Sequence, residues 1–320
     1  MNYQEIFSDY IEKQKIGQNP ENLYEPIRYI LSLGGKRIRP ILTLMACDIF
    51  GEDINKALPA AAAVEIFHNF SLIHDDIMDQ APLRRGNPTV HQKWDLNTGI
   101  LSGDAMLILA YQYFEEYEPE IFKELAKLFS KTALEVCEGQ QWDIDFENRD
   151  DVTISEYLKM IEYKTAVLVA AAFQMGAIVA KTSDKDKQNV YDFGLNLGIA
   201  FQLQDDYLDT FGEAETFGKQ IGGDIIENKK TYLYLKAISD GSAEDKEQLL
   251  HLYSITPKEN QDKIQSVKSV FVNSGSDQKT KHAIEAYTKK AFEILDQMEI
   301  STDKKQQLRK FGEGLMNRIV

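Results

Sequence analysis

Apolar residues recur at intervals of three and four along almost the whole chain, and the alternation that marks half-buried strands is missing. The pattern predicts helices over about 20–33, 38–50, 57–79, 97–118, 119–142, 154–180, 227–240, 258–275, 279–297 and 302–319. A further helix starts at Ser183, whose hydroxyl is placed to cap it with Asp186 three residues on, and runs to about Phe211. Its apolar stripe is Val190, Phe193, Gly194, Leu197, Gly198 and Phe201. Two glycines on a buried stripe weaken a helix and imply a close approach by another helix or a ligand. Breaks fall at "GG" 34–35, "GEDINK" 51–56, "QAPLRRGNPT" 80–89, "DIDFENRDD" 143–151 and "GEAETFGKQIGGD" 212–224. None is a low-complexity linker, so the expectation is one all-α domain over residues 1–320.

Composition narrows the partners. The 320 residues carry 36 basic and 51 acidic side chains, a formal charge of −15, which argues against nucleic acid as the partner. It leaves room for a local basic pocket that takes a small anion. Cys47 and Cys137 both lie in apolar helical contexts and read as buried thiols, with no disulfide framework or zinc site. The N-terminal "MNYQEIFSDYIEKQKIG" is polar and mixed in charge, unlike a signal or transit peptide. No stretch reads as the ~20 apolar residues of a membrane span, and the expectation is a cytoplasmic protein.

One short pattern occurs twice, as "DDIMD" at 75–79 and "DDYLD" at 205–209. Residues i and i+4 share a helix face, so Asp75 can project with Asp79, and Asp205 with Asp209. Such carboxylate pairs are hard ligands suited to Mg²⁺ or Mn²⁺, whose open positions substrate phosphates fill. A single copy reads more readily as a solvated helix end. Two copies, each led by an apolar run ("AAAAVEIFHNFSLIH" and "FGLNLGIAFQLQ"), favour metal binding. Cations that would answer bound phosphates occur at Lys36, Arg37 and Arg39 in "GGKRIRP", and at Arg84 and Arg85 in "RRGNPTV". Lys164 and Thr165 lie inside an apolar helix, where a lone lysine is costly without an anionic partner. Lys219, Lys229 and Lys230 lie in a Gly-rich segment. Each is ordinary alone; together they describe a site for two diphosphates.

In this order the motifs resemble the trans-isoprenyl diphosphate synthase (polyprenyl synthetase) family, which includes the farnesyl and geranylgeranyl diphosphate synthases. The resemblance runs through "GGKRIRP", "HNFSLIHDDIMD", "RRG", "GD" at 103–104, "EGQ" at 138–140, "KT" at 164–165, "GIAFQLQDDYLD", "GK" at 218–219, "GGD" and "KKT". It implies an all-α bundle of about ten or more helices around a deep central cavity, usually a homodimer. It implies three Mg²⁺ per active site. Asp75 and Asp79 would hold magnesium on the allylic diphosphate, Asp205 would hold a third ion, and Asp76, Asp206 and Asp209 would support them. Arg84, Lys164 with Thr165, Gln202, Lys219 and Lys229 would bind the allylic diphosphate. Lys36, Arg39, His68 and Arg85 would bind isopentenyl diphosphate. Arg318 is a candidate for the family's C-terminal basic segment.

The implied reaction is ionisation, condensation and elimination, with water kept from the allylic cation by closure of the 212–226 segment. Chain length in this family follows residues just before the first aspartate motif. Phe70 is five and Ser71 four residues before Asp75, with no insertion in "DDIMD", a combination that looks most like a geranylgeranyl (C20) synthase. At 100° per residue, Ser71 lies nearly beneath Asp75 while Phe70 is rotated about 140° away, so Phe67 is a second possible wall. Both phenylalanines read equally as core aromatics. The alternatives are a farnesyl (C15) or longer-chain synthase and, more distantly, a class I terpene cyclase, which has no second diphosphate for "GGKRIRP" to bind.

Overall fold

The computed structural model describes residues 2–212, 221–257 and 259–316. The described chain is almost wholly helical: α1 (Tyr3–Glu12), α2 (Glu21–Ser32), α3 (Ile38–Ile49), α4 (Leu58–Met78), the short α5 (Val90–Lys93), α6 (Leu96–Gln112), α7 (Pro119–Glu147), α8 (Ile154–Ile161), α9 (Val167–Val179), α10 (Asp184–Phe211), the short α11 (Gly223–Ile226), α12 (Tyr232–Asp240), α13 (Ala243–Ser254), α14 (Gln261–Asn273), α15 (Ser276–Gln297) and α16 (Thr302–Met316). It divides into two compact units, residues 1–131 with 171–190, and residues 132–170 with 191–320.

In the first unit α4 is the central element. Its residues from Leu58 to Phe67 are buried on every side, with Ala60 to Ala63 fully so, as befits a helix that is apolar all round. Helix α6 packs on it through small residues. A Cβ at Gly103 would lie 2.3 Å from His74 Nε2, and one at Gly99 would lie 3.0 Å from Ile77. The chain leaves α4 through a two-residue hairpin, β1 (Leu83–Arg84) and β2 (Asn87–Pro88), pairing Arg84 with Asn87. Arg85 and Gly86 both have positive φ (54° and 76°), the turn whose twist suits so short a hairpin. The sequence carries no strand pattern there, because two residues a side are too few for one.

In the second unit Tyr157, Ile161, Leu203, Leu208, Leu233, Leu249 and Phe271 form the centre of the core. Helix α8 opens on a reciprocal cap between Thr153 and Glu156, and α13 on one between Ser242 and Asp245. The helix expected over 154–180 is interrupted by a π-turn at Glu162–Ala166, which carries Lys164 and Thr165. Ile154–Val179 is long and apolar enough to pass for a membrane span, contrary to the sequence expectation. Yet 72% of its most apolar window is buried inside the protein, so its apolar character is that of a core helix. Helix α10 starts as expected, with the Asp186 N–H donating to Ser183 Oγ at 3.1 Å. Four helices were not anticipated, α1, α13 and the short α5 and α11; the first shows its core stripe at Tyr3, Phe7 and Ile11. Cys47 is buried as expected, whereas Cys137 is exposed, because it falls on the outward side of α7.

Candidate active site

In the first unit the end of α4 separates the three aspartates. Asp75 is half-buried and Asp79 exposed, one helical turn apart, while Asp76 is 1% exposed. Asp76 accepts two hydrogen bonds from Arg84, from Nε at 2.8 Å and Nη2 at 2.7 Å. The hairpin thus brings Arg84 to the first motif, and in this geometry its guanidinium is committed to Asp76.

The other cations gather at the start of α3. Gly34, Gly35 and Arg37 all have positive φ, so the chain coils tightly before the helix. The Arg85 guanidinium lies flat on Gly35, where a Cβ would be 2.8 Å from its Cζ, and donates to the Gly34 carbonyl. Arg37 turns inward, donating to Glu65 Oε1 at 2.5 Å and to the Leu31 carbonyl. Glu65 is 2% exposed and also accepts from Asn69 Nδ2 at 3.0 Å. Arg37 is therefore a strut, and Lys36 and Arg39 flank it, Lys36 exposed and Arg39 half-buried. Arg39 Nε is buried with no hydrogen-bond partner among the described residues. Burial pulls the Arg39 guanidinium down to about 10, against the opposing pull of the Glu65 carboxylate. His68 sits among Arg39, Arg85, Arg84 and Arg37; burial first, then these charges, hold its imidazole well below its usual range. A neutral histidine beside cations and an unsatisfied guanidinium N–H have the donor chemistry that an anion would satisfy.

In the second unit the later motif is more deeply set. Asp205 is half-buried, and Asp206 and Asp209 are buried. Asp206 accepts hydrogen bonds from the Tyr157 hydroxyl and from Gln202 Nε2, the latter at 2.8 Å. Burial raises the Asp206 carboxyl, and these donors pull it back. With its amide fixed in this sense, Gln202 offers Oε1 to the Thr165 hydroxyl at 3.0 Å. Asp209 Oδ2 accepts from the Asp224 N–H at 3.0 Å, where the Gly222–Gly223 turn folds against it. Lys229 lies 3.0 Å from Glu227 and 3.8 Å from Asp224, and Lys230 donates to the Phe146 carbonyl at the end of α7.

Two glycines approach the π-turn closely. A Cβ at Gly139 would lie 2.2 Å from the Lys164 backbone N, and one at Gly198 would lie 2.8 Å from Ala166 Cα. The close approach expected along the α10 stripe is thus realised at Gly198. Lys164 itself is paired with Asp143 at 2.5 Å.

Lys219 and Arg318 lie outside the described residues, as does much of the 212–226 segment. Sequence reasoning passed over Glu65, Tyr157 and Asp143, and gave no role to Asp224 of the "GGD" motif. Glu65 had a signal, a lone acid in the apolar run "AAAAVEIF"; Tyr157 and Asp143 had none. Phe70 meets Phe67 with ring centroids 5.4 Å apart and His74 at 4.8 Å. Phe67 also meets Phe129 at 5.1 Å, and the Ser71 hydroxyl donates to the His68 carbonyl.

The family model for polyprenyl synthetases matches residues 20–271. A geranylgeranyl diphosphate synthase of Methanosarcina mazei is 44% identical over 224 residues, 69% of each chain. A geranylfarnesyl diphosphate synthase of Natronomonas pharaonis is 42% identical over 260 residues, 74% of this chain and 75% of the relative. Among solved structures, one described as a geranylgeranyl pyrophosphate synthase superposes with a TM-score of 0.96 at 52% identity, covering 99% of both chains.

Proposed function

The chain belongs to the polyprenyl synthetase family of trans-prenyltransferases, and from that premise we propose that it condenses isopentenyl diphosphate with an allylic diphosphate to make geranylgeranyl diphosphate. The observation that carries the reading is the Arg39–His68–Arg85 cluster with its unpaired Arg39 Nε. It supplies a second anion site besides the aspartate motifs, which a condensing enzyme needs and a cyclase does not. The C20 product is supported by Phe70 and Ser71 ahead of the first motif and by the names of several relatives. A C25 product is the second reading, favoured by the relatives named as geranylfarnesyl diphosphate synthases.

The oxygen-only pairs Asp75 with Asp79, and Asp205 with Asp209, fit magnesium in donor type and in their spacing of one helical turn. Among the described residues no three His, Cys, Asp or Glu side chains converge on a ready-made ion site. Diphosphate oxygens would complete the coordination. Three magnesium ions per site, held by Asp75, Asp79 and Asp205 and supported by Asp206 and Asp209, would neutralise charge building on the leaving diphosphate. Lys164, Lys219, Lys229 and Arg84 would add fixed positive charge at the same group as its bond to the allylic carbon breaks. Thr165 and Gln202 turn oxygen atoms toward one another at the π-turn and would orient the allylic end. Lys36, Arg39, His68 and Arg85 would hold isopentenyl diphosphate so that its double bond attacks the cation. The proton then lost would pass to the released diphosphate.

The enzyme would act in the cytoplasm as a homodimer. Helix α6 leaves Leu96, Leu101 and Ile108 more than half exposed, a surface that a second copy would cover. The decisive experiment incubates the purified protein with isopentenyl diphosphate, Mg²⁺ and dimethylallyl, geranyl or farnesyl diphosphate in turn. Chromatography of the dephosphorylated products should show a C20 alcohol. Failure to extend any primer would overturn the reading.

A further inference from the structure

Lys164 is the cation that the reading above assigns to the diphosphate, yet its ammonium is already held, 2.5 Å from Asp143 Oδ2. The placement is built into the helices. Gly139 and Asp143 stand one turn apart on the same face of α7. At Gly139 the helix touches the π-turn backbone so closely that a Cβ would lie 2.2 Å from Lys164 N. One turn further on, the same face presents the Asp143 carboxylate to the Lys164 side chain. Both side chains are less than a third exposed, 30% for Lys164 and 23% for Asp143, so the pair is only partly screened by water. Asp143 is also within electrostatic reach of Lys229.

We propose that Asp143 is a positioning residue that competes with diphosphate for Lys164. It parks the ammonium between turnovers and reclaims it as inorganic pyrophosphate leaves. Such a carboxylate weakens diphosphate binding in exchange for release of product, because each anion bound must first displace it. The proposal rests on the assignment of Lys164 as a diphosphate ligand and predicts the opposite of what loss of a structural salt bridge would do.

The test compares the full-length wild type, Asp143→Asn, Lys164→Gln and the double variant. Binding of inorganic pyrophosphate with Mg²⁺ is read by calorimetry, and inhibition of condensation by added pyrophosphate is read beside it. Asp143→Asn should bind pyrophosphate about tenfold more tightly and be inhibited at correspondingly lower concentration. That gain should vanish when Lys164→Gln is present. Unchanged or weaker binding in a folded Asp143→Asn protein would overturn the proposal, as would a gain that persists without Lys164. Should Asp143→Asn fail to fold, Asp143→Ser carries the same comparison. The underlying assignment fails separately, if Lys164→Gln binds pyrophosphate as well as the wild type does.

Discussion

Arg84 grips Asp76 through two near-parallel hydrogen bonds, 2.8 and 2.7 Å long, and the carboxylate at their centre is 1% exposed. The middle aspartate of the first motif thereby ties the end of α4 to the hairpin that follows. A buried acid with one bidentate partner is costly to neutralise, because the guanidinium is left facing a group that no longer answers its charge. Asp76→Asn should lower the stability of the substrate-free protein by about 3 kcal/mol. Asp79→Asn should behave differently: Asp79 is exposed at a helix C-terminus, where a negative charge gains nothing from the helix dipole. Denaturant unfolding without Mg²⁺ separates the two. Equal midpoints would show that the Arg84 pair contributes nothing to the fold.

His68 gives a pH signature. Burial and its four arginine neighbours lower its folded-state pKa well below 6.5, whereas in the unfolded chain the imidazole titrates normally. Between the two values the unfolded state binds more protons, so stability rises with pH across that window. The contribution of His68 is complete above pH 6.5 and is lost as pH falls toward the folded value. His68→Asn should therefore flatten the acid side of the stability profile between pH 7 and 5. Parallel wild-type and variant profiles would contradict the assignment.

The two glycines beside the π-turn should be intolerant for a shared reason. Gly198→Ala would press a methyl group on Ala166 Cα, and Gly139→Ala would press one on the Lys164 backbone. Backbone cannot rotate away as a side chain can, so each change should cost about 1–3 kcal/mol. It should also shift the turn that carries Lys164 and Thr165. A fall in kcat larger than any rise in KM for isopentenyl diphosphate is the expected pattern. Wild-type kinetics in either variant would mean that the turn adjusts freely.

What was legible in the sequence follows the range of the interaction. Apolar spacing located most helices, including α10 with its Ser183 cap, because that signal is local and periodic. The paired aspartates were equally plain, since their one-turn spacing is a property of a single helix. The π-turn was not visible: nothing in Glu162–Ala166 departs from an ordinary helix between two apolar stretches, and Gly139 and Gly198, which approach it most closely, come from other parts of the chain. Nor could "DDIMD" reveal that its second aspartate faces an arginine eight residues away, or "DDYLD" that Asp206 takes a proton donor from Tyr157. Partners fixed only by tertiary packing leave no periodic trace. Glu65 is the instructive exception, because a solitary acid in an alanine-rich core helix announces that a buried cation must exist.

The aromatic residues before the first motif give the last prediction. Phe67 is 1% exposed and meets both Phe70 and Phe129, themselves neighbours of Tyr111 and Phe114 through Phe129. Removing Phe67 leaves a cavity among several rings, so Phe67→Ala should cost about 3–5 kcal/mol. Phe70 is nearer the surface of this cluster, at 9% exposed, and its ring also meets His74 at 4.8 Å. Its loss should be better tolerated. If Phe70 limits the growing hydrocarbon, Phe70→Ala will lengthen the products beyond C20 while keeping most of the stability. The two variants therefore divide the role of wall from the role of core. Chromatography of the dephosphorylated products, with thermal unfolding measured on the same samples, reads both. Longer products from Phe67→Ala alone, with Phe70→Ala unchanged, would move the floor one helical turn deeper.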